Sequence, residues 1–372
     1  MRILYGVNGE GMGHATRSEV VINHLLGAGK DVRVIASGAA YRYLGERLPR
    51  VDEVLGPSLA LGEGEIRKWA TVRQNVHNIT HELPENVKTW MANYHDEWRP
   101  NVIVTDFEPL ASAYARMSRT PLLAVDNIHA LDRLEHDDQI VEGERESHRI
   151  AKTVTSNMAP GAVRYVITSF FRAPIAKDNT TLVPPIVRPE IEAAQPEDGD
   201  HLVVYSSGEE RLLEALKSID LHCIVYGMRG SADDEGKIDG NLTFRAPSKE
   251  GFVEDLRTAR GVVTGGGFSL LSECVYLRKP VLSVPLRGQF EQVMNARYLE
   301  RSGYGLAADE VSPETVKEFV SRLEQFEGAL AAYHQDGNTV ALATIDEYLE
   351  EAAESTPKDL RKARRETRRK PR

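Results

Sequence analysis

Short, near-continuously apolar runs alternate along the chain with stretches whose apolar residues recur at helical spacing. Ile3–Val7, Val32–Ala36, Val102–Thr105, Leu122–Val125 and Tyr165–Thr168 have the β-branched, unalternating character of strands covered on both faces. His14–Leu26 carries Val20, Val21, His24 and Leu25 at helical spacing, and Gly27 and Gly29 close it. Strands alternating with helices predict right-handed βαβ units and a parallel sheet. Val183–Pro185 and Pro189–Asp200, rich in proline and acids and without periodicity, have the composition of a linker. The alternation then restarts. Leu202–Tyr205, Cys223–Tyr226, Leu242–Phe244, Val262–Thr264 and Val281–Val284 are the expected strands, and Glu209–Ser218, Phe268–Leu277 and Phe290–Arg301 the expected helices. After Ser312 the pattern is helical through Tyr348, and the last sixteen residues look too charged to pack. The pattern predicts two doubly wound α/β domains, residues 1–185 and 186–335, followed by a terminal helix (336–356) and a basic tail (357–372) expected to be disordered. Open α/β sheets bind ligands beyond the carboxyl ends of their strands, so the loops there are where chemistry is expected.

Composition narrows the class. Of 372 residues, 41% are hydrophobic and 27% charged, the balance of a folded chain. No apolar run approaches the ~20 residues of a membrane span. The first residues turn polar at Asn8, too early for a signal-peptide core. Two cysteines, Cys223 and Cys274, indicate no disulfide framework. A cytoplasmic location is expected. The net charge of −10 hides a tail of +7 (Pro357–Arg372) on a body of −17. An acidic body argues against nucleic acid as a partner. The tail reads as solvated charge, with contact to an anionic membrane as the alternative.

Three strand-end loops carry candidate chemistry. Val262-Val-Thr-Gly-Gly-Gly-Phe-Ser-Leu-Leu-Ser-Glu273 runs from a strand through Gly265, Gly266 and Gly267 into a helix. Glycines admit close approach of a ligand, and a helix N-terminus offers N–H groups and partial positive charge to a phosphate. Ser269 adds a hydroxyl. Glu273, one turn on, is badly placed for phosphate and well placed for ribose hydroxyls; a tight turn with a solvated glutamate is the plain alternative. Tyr205-Ser-Ser-Gly208 is a second small-residue turn that could wrap the same diphosphate. Tyr5-Gly-Val-Asn-Gly-Glu-Gly-Met-Gly-His14 misses the dinucleotide pattern, since His14 stands at the third glycine position and the second strand ends at Ser37 without an acid. His14 is instead a candidate general base, flanked by Gly11 and Gly13, with a polar residue opening the helix and carrying no role as the plain alternative. Asp106, ending Val102–Thr105, could orient the His14 ring, or could cap the helix expected over Glu108–Met117. Asp198-Gly-Asp200 formally matches a metal-binding D-x-D but sits in the polar linker, where a solvated turn is expected, and the cluster His129, Asp132, His136, Asp137 and Asp138 lacks clear ligand spacing. No metal site is expected.

These residues together resemble the GT-B glycosyltransferases, in the branch of the peptidoglycan N-acetylglucosaminyltransferase and the diacylglycerol glycosyltransferases. The likeness covers nearly the whole chain. It implies two Rossmann-like parallel-sheet domains facing a central cleft, with the terminal helix returning to the first domain. The loop of Gly11, Gly13, His14 and Arg17 is similar to the family's acceptor-side loop. Pro184-Pro-Ile-Val-Arg188 is similar to its G-N-P-V-R, which implies Arg188 at the diphosphate with Ser206, Ser207 and Gly208. Gly265–Glu273, Phe268 included, resembles its donor signature, with Glu273 at the ribose. Gln289, Glu291 and Gln292 fall where that family contacts the sugar, and Phe252 where its chain passes the nucleobase. The resemblance implies inverting transfer from a nucleoside-diphosphate sugar, with a UDP-sugar favoured, and no metal or other cofactor. The departures are Asn8-Gly-Glu-Gly-Met-Gly in place of paired glycines, and Glu291 in place of an amide. A sugar-nucleotide 2-epimerase of the same fold and a non-catalytic nucleotide-sugar binder remain the alternatives.

Overall fold

The computed structural model of the chain describes residues 1–54, 61–62, 65–66, 98–206, 210–227, 236–246 and 248–367. It divides into two compact units, Met1–Ile186 with Gly337–Arg372, and Val187–Asp336. Each is built on a seven-stranded sheet.

In the first unit the strands are β1 (Arg2–Val7), β2 (Asp31–Ala36), β3 (Val51–Glu53), β6 (Val102–Asp106), β7 (Leu122–Asp126), β8 (Arg164–Thr168) and β9 (Thr180–Val183); β4 (Leu61–Gly62) and β5 (Glu65–Ile66) form a separate hairpin. The order is β3-β2-β1-β6-β7-β8-β9 with every pair parallel. Successive side chains leave a strand on opposite faces. Ile3, Tyr5 and Val7 enter a core shared with helix α1 (Met12–Gly27), helix α2 (Gly38–Gly45) and the late helix Thr339–Ala353. Leu4 and Ile103 enter the opposite core, shared with α3 (Pro109–Ser118). Double coverage is why these strands are continuously apolar. Three short helices follow β7: α4 (Ala130–Arg133), α5 (Asp138–Val141) and α6 (Arg145–Ser156).

The second unit opens with a feature the composition hid. Pro189–Asp200, expected as a linker, begins with helix α7 (Pro189–Ala193), which has proline at its first position and Glu190 and Glu192 in its first turn. Proline and acids are what a helix N-terminus accepts, so the same residues that look like a linker start a helix. The strands are β10 (His201–Tyr205), β11 (His222–Tyr226), β12 (Ile238–Asp239), β13 (Leu242–Phe244), β14 (Gly261–Thr264), β15 (Val281–Ser283) and β16 (Gly305–Ala307). Their order is β12-β13-β11-β10-β14-β15-β16, parallel but for the β12–β13 edge. Its helices are α8 (Glu210–Leu216), α9 (Lys249–Arg257), α10 (Phe268–Tyr276), α11 (Phe290–Arg301), α12 (Pro313–Ser321) and α13 (Leu323–Leu330). Leu202, Val204, Cys223, Val225, Val263 and Leu282 meet Val316, Phe319 and Phe326 of α12 and α13 in its core.

The chain then re-enters the first unit. α14 (Thr339–Ala353) inserts Ala341, Ile345, Leu349 and Ala352 into the core of β1 and α1. The tail departs from the expectation of a disordered segment. Pro357–Thr367 is a helix, α15, started by a reciprocal cap in which Asp359 accepts from the Thr356 N–H (2.8 Å) and hydroxyl (2.6 Å). Ala363 is buried, and Arg364 donates to the carbonyl of Arg116 at 3.1 Å. A charged sequence can pack through one small residue and one long cation, as Ala363 and Arg364 do here. Residues 368–372 lie outside the described residues.

In both units the strand order reverses beside the first strand, between β1 and β6 and between β10 and β14. Helices on either side of such a point leave in opposite directions and open a crevice at the strand ends. The three candidate loops begin at these two points.

Candidate functional site

In the first unit, parallel pairing places Val7 opposite Asp106, so the loop leaving β1 and the last residue of β6 meet. The side chain of Asn8 donates to the Phe107 carbonyl (3.0 Å), and its backbone N–H donates to the Asp106 carbonyl (3.1 Å). Gly11, at φ +76°, takes the left-handed turn that starts α1. His14, Arg17 and Ser18 then share one face of α1 and converge on Asp106. Nδ1 of His14 lies 2.7 Å from Oδ1 of Asp106. Arg17 donates Nη2–H to the same oxygen (2.7 Å) and Nε–H to Oδ2 (3.0 Å), and Ser18 donates its hydroxyl to Oδ2 (2.9 Å).

Asp106 is fully buried. Burial raises its carboxyl, but Arg17 and His14 outweigh this and hold it at about 2. An ionised carboxylate can only accept, so Nδ1 of His14 is the donor of this pair. The 3.2 Å approach of Arg17 Nη2 to Nδ1 is then a contact between two donors sharing one oxygen, not a third hydrogen bond. The His14 side chain keeps 12% of its surface exposed, while Asp106, Arg17 and Ser18 are buried. Phe107 follows Asp106 at φ +56°, a backbone conformation that costs a bulky residue about 1–3 kcal/mol and collects at functional sites. Its ring stacks on His14 with centroids 6.4 Å apart.

Asp106 does not cap the following helix. Glu108 does, accepting from Leu110 N–H (3.0 Å) and Ala111 N–H (2.6 Å). Asp106 is thereby left wholly to the α1 cluster. Arg17, expected on an acceptor-side loop, is turned inward and is 4% exposed. Its remaining nitrogen, Nη1, donates to Asn127 at the end of β7 (2.8 Å).

In the second unit the glycine loop leaves β14 beside β10. Gly267 caps α10 with no side-chain cap hydrogen bond. The three glycines differ in purpose. A Cβ on Gly266 would collide with the Gln292 carbonyl, whereas one on Gly267 would meet nothing within 4 Å. Gln292, expected at the sugar, holds this loop in place: its oxygen accepts from Gly266 N–H (3.2 Å) and Leu286 N–H (3.0 Å), and its amide donates to Gln289 (2.9 Å). Asn295 donates to the Gly266 carbonyl (3.0 Å) and to Glu291 (2.9 Å). Arg188 forks onto Glu273 through Nε (2.8 Å) and Nη2 (2.9 Å). Burial raises the Glu273 carboxyl, and Arg188 offsets part of that rise. The Arg188 guanidinium lies 6.0 Å from the Phe252 ring centroid, and Phe252 packs edge-on against Tyr205 (5.7 Å) and Tyr226 (5.1 Å). Arg188, Phe252 and Glu273 thus gather, although 85 residues separate Arg188 from Glu273. Ser206 stands at the end of β10; Ser207 and Gly208 lie outside the described residues.

A family model described as glycosyl transferase family 1 matches residues 1–324. The chain belongs to glycosyl transferase family 1. Within it, the chain is 32% identical over 108 residues to an uncharacterized glycosyltransferase of Methanopyrus kandleri, covering 28% of this chain and 29% of that protein. It is 27% identical over 175 residues to a UDP-N-acetylglucosamine–N-acetylmuramyl-(pentapeptide) pyrophosphoryl-undecaprenol N-acetylglucosamine transferase of Bacillus cereus, covering 40% of this chain and 48% of that one. The chain therefore spans less than half the length of either relative. Among solved structures, the glycosyltransferase VinC in complex with dTDP shares the fold: TM-score 0.61, 14% identity, 95% of this chain and 100% of that one. The GT-B fold and the resemblance to the N-acetylglucosaminyltransferase branch hold.

Ser18, Asn127 and Asn295 belong to these clusters without any motif to mark them. Ser18 was within reach, since it stands four residues after His14 on the same helix face. Asn127 and Asn295 reach their partners only through strand order and helix packing. The side chains of the Asp132 cluster serve other partners: His129 binds Asp126 (2.7 Å), Lys177 binds Asp132 (2.6 Å), His136 approaches the Ala130 carbonyl (2.9 Å) and Asp137 caps α5. No helix among the described residues is long and apolar enough to cross a membrane.

Proposed function

We propose that this family member is an inverting glycosyltransferase, moving a hexose or N-acetylhexosamine from a nucleoside-diphosphate sugar to an acceptor hydroxyl. One observation carries the reading: His14 is held at Nδ1 by a buried, ionised Asp106 at the switch point of a doubly wound sheet, the arrangement that orients a histidine base. The name of the Bacillus relative, whose donor is a UDP-sugar, favours UDP over other nucleotides.

Nε2 of His14 takes the proton of the acceptor hydroxyl as that oxygen forms a bond to the anomeric carbon. The bond from that carbon to the diphosphate oxygen breaks, and a single displacement inverts the centre. The leaving diphosphate is stabilised by the N–H groups of Gly265–Ser269 at the start of α10, by Arg188 and by Ser206 at the end of β10. The ribose hydroxyls donate to Glu273. These groups supply the positive charge that phosphate needs, so the reading requires no metal. Lipid or envelope-glycan acceptors are favoured by the same Bacillus relative, and the basic α15 helix would suit an anionic membrane surface.

The test is a His14→Ala variant assayed for transfer and for nucleotide-sugar binding by thermal shift with UDP-, TDP- and GDP-sugars. Turnover should fall by roughly 10²–10⁴-fold while the nucleotide-induced rise in melting temperature persists. Wild-type turnover would discard His14 as the base. Epimer formation without any acceptor would replace the transferase by an epimerase.

A further inference from the structure

Arg17 is the cation nearest His14, and the proposed reaction leaves it no substrate to touch. It is buried, on His14's own helix, and all three of its donor nitrogens are committed: two to Asp106 and one to Asn127. A guanidinium fork on a carboxylate fixes that carboxylate in plane and position as a single donor cannot. Oδ1 of Asp106 therefore receives His14 and Arg17 together, each at 2.7 Å. A buried Asp–His pair without a third member has one negative charge facing the ring, which favours a proton on it. A base so placed is oriented and also held protonated.

We infer that Arg17 is a positioning residue for His14: it balances the Asp106 charge and locks the carboxylate against Nδ1, so that Asp106 orients the ring without trapping a proton on it. The inference rests on the reading of His14 as the base. Among the described residues, the charged and titratable groups around the cluster come from three strands and one helix: Tyr5 of β1, Asp106 of β6, Asp126 of β7, and Arg17 with His14 on α1. Asp126 acts on Arg17 from beyond and is itself bound to His129. Among the described residues Arg17 is thus the positive group between Asp106 and Asp126, and its removal leaves the ring facing Asp106 without that balance. Asn127 matters as the uncharged holder of Nη1: a carboxylate there would draw off the charge that Arg17 gives to Asp106.

The experiment titrates the His14 ring by NMR in the full-length protein, its resonance identified by loss in His14→Ala. In Arg17→Met the titration midpoint should rise by about one pH unit or more, the usual scale for losing a neighbouring like charge. Arg17→Lys, which keeps the charge and loses the fork, should bring the midpoint back to within a few tenths of wild type. Asn127→Asp keeps Arg17 and the shape of the site, and should move the midpoint the same way as Arg17→Met by a smaller amount. An unmoved midpoint in folded Arg17→Met overturns the inference. If that variant does not fold, an unmoved midpoint in Asn127→Asp does so. A shift in Arg17→Lys as large as in Arg17→Met overturns it too, because charge would then not be what matters. Transfer assays run alongside should show the acidic limb of kcat/KM moving up with the midpoint, whereas a purely structural role lowers activity at every pH and leaves the limb in place. Absence of turnover in wild type with every nucleotide sugar would sink the transferase reading while the titration result stands by itself.

Discussion

Asp106 and Glu108 are both fully buried and stand two residues apart, yet their carboxyls move in opposite directions. Burial raises each. At Asp106 the guanidinium and imidazole outweigh it and hold the group at about 2; at Glu108 only two backbone N–H donors oppose it, and the group rises to about 7. The consequences for stability have opposite signs. Asp106 is depressed in the folded state, so its contribution is present above its unfolded value of ~3.9 and is lost as pH falls through about 2. Glu108 is raised, so stability is full below its unfolded value of ~4.3 and declines as pH rises to about 7. Glu108→Gln keeps an oxygen for the helix cap and removes the ionisation. The first unit should then lose less stability between pH 5 and pH 8 than wild type, by on the order of 3 kcal/mol at most. Thermal melts at the two pH values check this, and an identical pH dependence in both proteins would refute it. The sequence shows both carboxylates but not their surroundings, since Arg17 lies 89 residues from Asp106.

At the scale of elements, the glycine loop before α10 separates what packing needs from what a ligand needs. Gly266 is pressed against the Gln292 backbone of α11, and Gly267 faces open space. Gly266→Ala should therefore cost about 1–3 kcal/mol through overpacking, read as a lower melting temperature. Gly267→Ala should melt near wild type and bind nucleotide sugar more weakly, read by thermal shift. Equal destabilisation by the two would mean that the loop has no ligand-facing glycine. Period and punctuation made these elements legible: the helix expected over Phe290–Arg301 has those bounds, and the strand expected over Leu242–Phe244 likewise. What escaped was short or at a border. β3, β9, β12 and β16 are edge strands of two to four residues, too brief for any periodicity to show. α7 and α15 carry their start signals, a proline at the first position and a Thr-x-x-Asp cap, within segments whose charge and proline content point the other way.

At the scale of the whole molecule, the chain leaves the first unit at Ile186 and returns at Gly337. Truncation after Asp336 removes Ala341, Ile345, Leu349 and Ala352 from the first core, which they share with Val104, Leu123 and Val166. The first unit should then unfold or become protease-sensitive while the second persists. Truncation after Thr356 removes only α15 and should lower the melting temperature by a few degrees at most. Proteolysis of the two truncated proteins distinguishes the outcomes: a first unit equally resistant in both would show that α14 is dispensable. The sequence alone determined the two sheets, because doubly covered strands must be apolar throughout, and it determined which loops hold glycine, histidine and acid at strand ends. It could not determine which residues meet. Strand order sets β1 beside β6 and β10 beside β14, and that order depends on crossovers that pass over the intervening strands, to which local propensity is blind. Only the tertiary structure, by closing those crossovers, turned Arg17 inward onto Asp106 and gave the helix cap to Glu108.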